Sequence, residues 1–193
     1  MSDLFDNHNA AEKINEVFKP LAERLRPLKL SDVIGQREIL GPHGSLTRLL
    51  AGNSFQSIIF WGPPGVGKTT IARLLAGEKN LYFVSISAIF TGVADLKKIF
   101  EAAKIRHGNG LATMLFVDEI HRFNKAQQDS FLPLMENGII FLVGATTENP
   151  SFELNSALLS RAQVLVLNRL SLDDLDLIVT RAQFEQKKDL PLD

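Results

Sequence analysis

The sequence predicts an α/β protein with a doubly wound sheet of about five parallel strands. Two observations indicate this fold. The apolar runs are continuous rather than alternating, as expected for strands that are buried on both faces. Segments with the period of amphipathic helices lie between these runs, and such alternation of strand and helix is typical of parallel sheets. The predicted strands are residues 57–61, 81–86, 112–118, 139–145 and 163–167.

Three crossover helices are predicted between the strands. They cover residues 69–75, 94–105 and 125–135, and Pro133 is expected to disturb the third. The second helix has one apolar stripe with lysines opposite, formed at i, i+3, i+4 and i+7 by Leu96, Ile99, Phe100 and Ala103. Each helix therefore has one side suited to cover the sheet.

The segments outside this core have a different character. Residues 1–18 are predicted to be a short N-terminal helix or tail, and residues 19–56 are a lead-in interrupted by proline and glycine. After the last strand, Ser171 and Asp174 form a capping box that begins another helix. The apolar side of that helix carries Leu175, Ile178, Val179 and Ala182. We expect this helix to begin a second domain.

Composition and charge exclude several classes of protein. With 21 Lys+Arg against 22 Asp+Glu, the chain lacks an overall basic footprint for nucleic acid, so any DNA contact must be local or built by oligomerisation. The absence of cysteine excludes disulfides and thiolate metal sites. The N-terminus does not resemble a secretory signal, and the apolar runs are too short to span a bilayer. A soluble cytoplasmic protein without a membrane partner is expected.

The strongest motif lies between the first predicted strand and the first helix. Residues 62–69, GPPGVGKT, fit the GxxxxGK[ST] pattern of a phosphate-binding loop in the required strand–loop–helix context. Lys68 is expected to reach the β- and γ-phosphates of ATP, and the Thr69 hydroxyl to ligate Mg²⁺. The alternative is a glycine-rich turn with an incidental lysine. The predicted nucleotide-binding residues here are Gly62, Pro63, Pro64, Gly65, Val66, Gly67, Lys68, Thr69 and Thr70.

Two adjacent carboxylates end the third predicted strand. Mg²⁺ takes few protein ligands, so Asp118 is expected to hold the ion, and Glu119 is then free to polarise the water that attacks the γ-phosphate. The alternative is a solvated acidic strand end. His121 completes a DExH string, which also occurs in helicases of another superfamily. His121 could couple the nucleotide state to a neighbouring loop, but we favour a structural role in capping and packing the turn.

Two further elements suit nucleotide chemistry. Thr146 and Thr147 end the fourth predicted strand, where one hydroxyl could bind the attacking water or the γ-phosphate. Arg161 ends a short predicted helix and should lie too far from the phosphate-binding loop of its own chain. This position suggests an arginine finger supplied in trans to a neighbouring subunit. The alternatives are a threonine-rich strand end and a surface arginine at a helix C-terminus.

These strings together resemble the AAA+ ATPase family of replication-associated recombination protein A (RarA, also called MgsA), whose eukaryotic relative is the Werner helicase interacting protein. The resemblance covers residues 19 to about 185. Its most specific segments are DEIHRFNKAQQD and GATTENPSFELNSALLSRA. The Walker A and Walker B motifs alone indicate only AAA+, a class that includes clamp loaders and the Holliday-junction branch-migration motor.

The resemblance implies roles for individual residues. Thr147 matches the sensor 1 position, and Ser160 with Arg161 matches a clamp-loader-like Ser-Arg-Cys motif, which favours the trans finger. Val33 and Ile34 lie in a segment that matches the family's adenine-packing segment, although ordinary core packing is an equal alternative.

The resemblance also implies a domain division. Family members continue with a helical lid that carries a sensor 2 arginine, and then with an oligomerisation region. Residues 19–169 are then the AAA+ nucleotide-binding core, and residues 170–193 are the beginning of a truncated lid. Hydrolysis by this chain is expected to be weak without sensor 2.

The function implied by the resemblance is that of a DNA-dependent ATPase in replication, recombination and repair at stalled forks. ATP and Mg²⁺ are the expected cofactors. The expected partners are DNA forks, ends or gaps, further copies of the full-length protein, and a single-stranded-DNA-binding protein, with a nucleoid-associated location. The alternatives are a nucleotide-binding interaction module that hardly hydrolyses ATP and a clamp-loader-like subunit.

Two basic clusters are candidate phosphate contacts, although solvated faces are the preferred interpretation. They are Lys19, Arg24, Arg26 and Lys29, and Lys97, Lys98, Lys104 and Arg106.

Overall fold

The computed structural model describes residues 20–52 and 56–186, so the helix predicted for residues 1–18 lies outside the described residues. A five-stranded sheet in the order β2-β3-β4-β1-β5 forms the centre of the fold, and every neighbouring pair is parallel. The predicted doubly wound α/β fold is therefore confirmed. The strands are β1 Ser57–Trp61, β2 Tyr82–Ser87, β3 Thr113–Asp118, β4 Ile140–Thr146 and β5 Ala162–Val166.

Ten α-helices and two short 3₁₀ turns surround the sheet within these residues. The 3₁₀ turns are Leu30–Asp32 and Ile120–Arg122. The α-helices are α1 Leu21–Arg24, α2 Arg37–Leu40, α3 Ser45–Ala51, α4 Lys68–Glu78, α5 Val93–Gly108, α6 Lys125–Asp129, α7 Leu132–Glu136, α8 Pro150–Glu153, α9 Ser156–Leu159 and α10 Leu172–Gln186. None of these helices is long and apolar enough to cross a membrane.

The third predicted crossover helix is two helices in the structure. The helix predicted for residues 125–135 divides into α6 and α7, and Pro133 lies in the first turn of α7. Proline has no N–H to donate, but the first turn of a helix does not need that donor. The proline therefore begins a new helix rather than bending one.

Burial differs between the centre and the edges of the sheet. In β1, β3 and β4 nearly every residue is buried, whereas β2 and β5 are partly exposed. Tyr82 in β2 and Val164 and Val166 in β5 are exposed apolar residues. The continuous apolar runs thus identified all five strands, but burial on both faces holds only for the central ones.

Two apolar cores cover the two faces of the sheet. One packs α4 and the lead-in residues Ile39 and Leu46 against β1, β3 and β4. The other packs α5 and the segment from Ile120 to Leu158 on the opposite face. Burial of this kind is the main stabilising contribution to the fold. It also fixes the carboxyl ends of the central strands, where the candidate site lies.

The lead-in packs against the segment that follows β5. Gln36 is buried, donates from Nε2 to the carbonyl of Asn168 at 2.7 Å, and accepts from the Asn168 N–H at 3.1 Å. Arg24 forms an ion pair of 2.8 Å with Glu185 in α10. These contacts bring α10 beside the lead-in. The division into a core and a lid that begins at residue 170 stays a prediction.

The predicted capping box at the start of α10 is present. The Ser171 N–H donates to Asp174 Oδ2 at 3.0 Å, and the Asp174 N–H donates to Ser171 Oγ at 3.2 Å. Of the predicted apolar side, Ala182 is buried and Leu175 is exposed. Phe184, on the same helix, is also exposed.

Candidate functional site

The phosphate-binding loop connects β1 to α4 in a backbone shape that only glycine adopts easily. Gly65 and Gly67 have φ values of 78° and 95°. Nothing lies within 4 Å of the place where a side chain would begin at either residue. Gly67 also caps α4, so the free N–H groups of the first turn, from Lys68 to Thr70, adjoin this open space. The arrangement suits an anionic oxygen cluster.

Gly62, at the start of the loop, is needed for a different reason. A side chain there would collide with the backbone carbonyl of Leu167, just after β5. The Gly62 N–H donates to the carbonyl of Thr146, the last residue of β4, at 3.1 Å. The two strands that flank β1 thus fix the beginning of the loop.

Lys68 is a nearly buried cation at the centre of the site. Its side chain is about 9% exposed, and Nζ donates to the carbonyls of Gly62 and Pro63, each at 2.7 Å. Burial lowers the pKa of Lys68 below its ordinary value, while the charges of Glu119 and Asp118 act in the opposite direction. The loop lysine and both predicted carboxylates therefore share one electrostatic environment.

The two carboxylates lie at the carboxyl end of β3. Asp118 is the last residue of the strand and pairs with Ser87 of β2. Glu119 has a left-handed backbone, with φ of 51° and ψ of 44°, and begins the 3₁₀ turn Ile120–Arg122. This change in direction places two successive carboxylates near Lys68.

The donor set suits Mg²⁺ when phosphate supplies the remaining ligands. Within residues 20–52 and 56–186, no group of three or more His, Cys, Asp or Glu side chains could hold a metal ion alone. Asp118 and the Thr69 hydroxyl offer hard oxygen donors, and Mg²⁺ usually takes one or two carboxylates together with waters and phosphate oxygens. The residues therefore fit this ion.

The end of β4 joins the site through Thr146 and His121. Thr146 is fully buried, and its hydroxyl lies 2.9 Å from His121 Nδ1. The same imidazole nitrogen lies 3.3 Å from Glu119 Oε2. Thr147 lies one residue beyond β4 and is half-buried. The sequence predicts a role for one of the two threonines, but it gives no signal for the contact between Thr146 and His121.

Arg161 lies away from the phosphate-binding loop of its own chain. It directly precedes β5, which runs parallel to β1 with Ala162 beside Ser57, whereas the loop follows the other end of β1. A five-residue strand separates the two ends by about 16 Å at ~3.3 Å per residue. Arg161 donates to Glu136, with an Nη2–Oε1 distance of 2.6 Å, and its Nη1 donates to the Ala157 carbonyl at 2.9 Å.

A cavity of about 450 Å³ adjoins the phosphate-binding loop. Val33 and Ile34, the predicted base-pocket residues, both line it, together with Gly65 and Gly67 of the loop. The cavity is mostly apolar in composition, as a flat heteroaromatic ring requires. Sequence reasoning missed three residues after β5 that also line the cavity, namely Leu170, Ile178 and Arg181.

The two basic clusters are largely paired with other groups of the chain. In the first, Arg26 contacts Glu23 at 2.6 Å, and Arg24 is occupied by the pair described above. Lys19 lies outside the described residues. In the second, Lys104 contacts Glu101 at 2.8 Å, and Arg106 lies 4.1 Å from the ring centroid of Tyr82. These pairings favour the interpretation of both clusters as solvated surface faces rather than as phosphate-binding sites.

Fold and site together define a P-loop ATPase. Residues 58–170 match the model of the ATPase family associated with various cellular activities (AAA), and the chain belongs to this family. Its sequence is similar to that of replication-associated recombination protein A. The protein of that name from Escherichia coli K12 is 47% identical over 174 residues, which are 90% of this chain and 39% of the relative.

Two further relatives extend this similarity. ATPase WRNIP1 of Dictyostelium discoideum is 46% identical over 164 residues, which are 85% of this chain and 19% of that protein. The structure resembles Thermotoga maritima RuvB, a Holliday junction branch migration motor, with a TM-score of 0.69 and 31% identity over 84% of this chain and 55% of that one. The chain thus spans about two fifths of the length of the Escherichia coli relative, and less of WRNIP1.

Proposed function

We propose that this chain binds ATP with Mg²⁺ and hydrolyses the γ-phosphate. The observation that carries the proposal is the common environment of Lys68, Asp118 and Glu119 at the end of a glycine-lined loop. Lys68 bridges the β- and γ-phosphates after giving up the carbonyls of Gly62 and Pro63. Asp118 and Thr69 hold Mg²⁺, which neutralises charge on the phosphate oxygens.

Glu119 acts on the attacking water in this proposal. Its carboxylate accepts a hydrogen bond from the water and turns the oxygen toward the γ-phosphate. Thr147, half-buried just beyond β4, offers a hydroxyl to the same water or to the γ-phosphate. Val33 and Ile34 contact the adenine ring, and Gly62 to Thr70 surround the phosphates. Residues 170–193 are the proposed beginning of a helical lid, and three of them, Leu170, Ile178 and Arg181, line the cavity.

Arg161 completes the active site of a neighbouring subunit. Its position at the opposite end of the strands from its own loop supports a role in trans. A guanidinium fork there stabilises the negative charge that develops on the transferring phosphoryl group. The proposed active form is accordingly a homo-oligomer of the full-length protein.

We further propose that ATP hydrolysis serves DNA replication, recombination and repair. The names of the bacterial relatives and the similarity to RuvB, a Holliday junction branch migration motor, support this step. The proposed substrate is DNA that contains forks, gaps or ends. A single-stranded-DNA-binding protein is a candidate partner. The proposed location is the nucleoid in the cytoplasm.

The test is ATP turnover by the purified chain, with and without forked DNA and with and without EDTA. Turnover that requires Mg²⁺, rises with DNA and disappears in Glu119→Gln supports the whole proposal. Turnover that persists in Glu119→Gln overturns the role of Glu119. Weak binding of ATP by the wild-type chain overturns the nucleotide site itself.

A second candidate function has its own support. Arg161 is engaged by Glu136 of its own chain, with an Nη2–Oε1 distance of 2.6 Å. A nucleotide-binding module that retains ATP without hydrolysing it is consistent with this contact. Tight ATP binding by a monomer without turnover favours this candidate. A stable complex with different subunits favours the clamp-loader-like alternative.

A further inference from the structure

His121 connects the ends of β3 and β4 at the candidate site. Its side chain is 7% exposed, and its Nδ1 lies 2.9 Å from the hydroxyl of Thr146 and 3.3 Å from Glu119 Oε2. Thr146 is fully buried, and its carbonyl accepts the Gly62 N–H. One imidazole therefore links the proposed water-polarising carboxylate to the strand that fixes the phosphate-binding loop.

The contacts around Thr146 leave room for a proton on Nδ1 of His121. The Thr146 hydroxyl oxygen accepts the Glu148 N–H at 3.0 Å, and the Glu148 carbonyl lies 3.3 Å away as an acceptor for the hydroxyl proton. The remaining partner, His121 Nδ1, can then donate to the hydroxyl oxygen. A bare Nδ1 would instead face the Glu119 carboxylate lone pair to lone pair. The contact with the Glu119 carboxylate thus calls for a proton on Nδ1, and the contact with Thr146 accommodates it.

The backbone supports the same arrangement. Glu119 has a left-handed backbone that is uncommon for a residue with a side chain. The turn is closed by the Arg122 N–H, which donates to the Glu119 carbonyl at 2.8 Å. This turn directs His121 back toward β4 and leaves the Glu119 side chain 27% exposed at the site. The imidazole is the side chain that restrains the carboxylate in this turn.

We propose that His121 is a positioning residue for Glu119, and this inference rests on the proposed function. The Nδ1–H edge of His121, anchored on buried Thr146, attracts one oxygen of the carboxylate and limits its rotation. The other oxygen is then left to accept from the attacking water. Because Thr146 also accepts the Gly62 N–H, the carboxylate keeps a constant position relative to the phosphate-binding loop.

Two substitutions separate positioning from simple packing. His121→Ala removes the imidazole and its donor. His121→Asn removes the ring but places an amide nitrogen at the position of Nδ1, because both atoms are two bonds from Cβ. His107→Ala, at an exposed position near the end of α5, is the matched control. A packing role predicts equal defects in the first two variants.

Two quantities are measured on the full chain for wild type and for each variant, namely the dissociation constant for ATP and kcat. Glu119→Gln is measured in parallel. We expect His121→Ala to lower kcat about 10-fold or more while ATP affinity changes less than about 2-fold, because positioning acts on the reacting water. We expect His121→Asn to recover most of kcat. Unchanged kcat in His121→Ala, with Glu119→Gln inactive, would falsify the inference and leave the proposed function standing. Activity in Glu119→Gln instead rejects the role of Glu119 in the proposed function, on which the inference rests.

A second measurement is independent of turnover and of the folding of any variant. Long-range ¹H–¹⁵N correlation spectra of the wild-type chain report which nitrogen of neutral His121 carries the proton. A proton on Nδ1 supports the arrangement. A proton on Nε2 with a bare Nδ1 overturns it, whatever the kinetic result, because such a ring would repel the carboxylate that it is proposed to hold.

Discussion

At the scale of single residues, the site depends on a buried cation, Lys68, whose Nζ donates to two carbonyl oxygens of its own loop. Lys68 is about 9% exposed and its pKa is lowered by burial. A charge in this environment is poorly solvated, so it gains most from a new anionic partner. Because the loop encloses the ammonium group, Lys68 is expected to bind a phosphate oxygen more tightly than an exposed lysine would.

Lys68→Ala should abolish ATP binding. Hydrogen bonds to charged groups contribute about 1.5–3 kcal/mol each, so the loss of even one corresponds to a fall in affinity of about 10-fold or more. Titration with a fluorescent ATP analogue measures this change. Lys97→Ala, on an exposed position of α5, is the control and should bind normally. Retained affinity in Lys68→Ala would contradict the assignment of the phosphate-binding loop.

Thr147→Val should reduce hydrolysis without preventing folding. The substitution replaces one hydroxyl by a methyl group at a half-buried position just beyond β4. Loss of a donor to the reacting phosphate or water typically costs about 10²–10³ in kcat. Turnover and melting temperature are to be compared with those of Thr180→Val, on an exposed face of α10. Normal turnover would show that Thr147 has no such role.

The placement of the loop and of the acidic pair at strand ends was predictable, because each lies in a local pattern tied to one strand. The contact between His121 and Thr146 was not predictable in this way. It joins residues 25 positions apart and depends on the turn after Glu119, which the string DEIH does not reveal. The structural role that the sequence suggested for His121 is compatible with the contact but too general.

At the scale of elements, the close approach of β1 and β5 decides which side chains the loop accepts. Gly62 has no room for a methyl group because the Leu167 carbonyl occupies that position. By contrast, Gly77 in α4 has nothing within 4 Å of its missing side chain. Replacing each glycine by alanine therefore distinguishes the effect of steric crowding on the free energy of unfolding from the effect of backbone entropy.

Gly62→Ala should lower the free energy of unfolding by about 1–3 kcal/mol, since an extra carbon in a tightly packed place forces shifts. Gly77→Ala should raise it by about 0.5–1 kcal/mol, because alanine loses less backbone freedom in a helix. Urea denaturation measures both changes. A stable Gly62→Ala variant would mean that β5 moves away from β1 more easily than the structure indicates.

Acid should weaken the start of α10. The Ser171 N–H hydrogen bond, with smaller contributions from the Ser171 hydroxyl and Arg37, holds the pKa of Asp174 below its ordinary value of 3.8. The carboxylate therefore stabilises the fold fully above pH 3.8, and this contribution is lost as pH falls through the lowered pKa.

Melting curves should accordingly show that Asp174→Asn is less stable than wild type near neutral pH and that the difference disappears in acid. Asp173→Asn, in the same first turn, controls for the effect of the helix dipole. A difference that persists after the carboxyl has been protonated would show that the capping hydrogen bond does not cause it.

Element types were more predictable than element ends. The structure begins β2 at Tyr82 rather than residue 81, because the Leu81 N–H still donates to the Ala76 carbonyl at the end of α4. The division into α6 and α7 falls beside Phe131, which is fully buried and directly precedes α7. Periodicity within one segment contains neither piece of information.

At the scale of the whole molecule, Arg161, the proposed arginine finger, forms only a weak ion pair within its own chain. Arg161 and Glu136 form an exposed ion pair, and such pairs typically contribute about 0–1 kcal/mol. Exchange of Glu136 for a phosphate of the next subunit therefore has little cost. Assembly, rather than a change in the fold of one chain, would then complete the active site.

Mixing variants of the full-length protein tests this arrangement. Arg161→Ala and Lys68→Ala should each be inactive as homo-oligomers, because one lacks the finger and the other lacks the nucleotide site. A mixture should regain part of the activity, since some interfaces join an intact Arg161 to an intact Lys68. Glu136→Gln should stay active. Mixtures that remain inactive, although mass measurements show mixed oligomers, would contradict action in trans.

The order of the strands also has a consequence for synthesis on the ribosome. Among the strands in the described part of the chain, β1 is the first to emerge, yet it pairs with β4 and β5, which are the last two. At about 5–20 residues per second, the apolar segment SIIFW waits several seconds without a partner. This apolar segment is therefore open to aggregation during synthesis, and β1 can complete its pairing only after β5 has been translated.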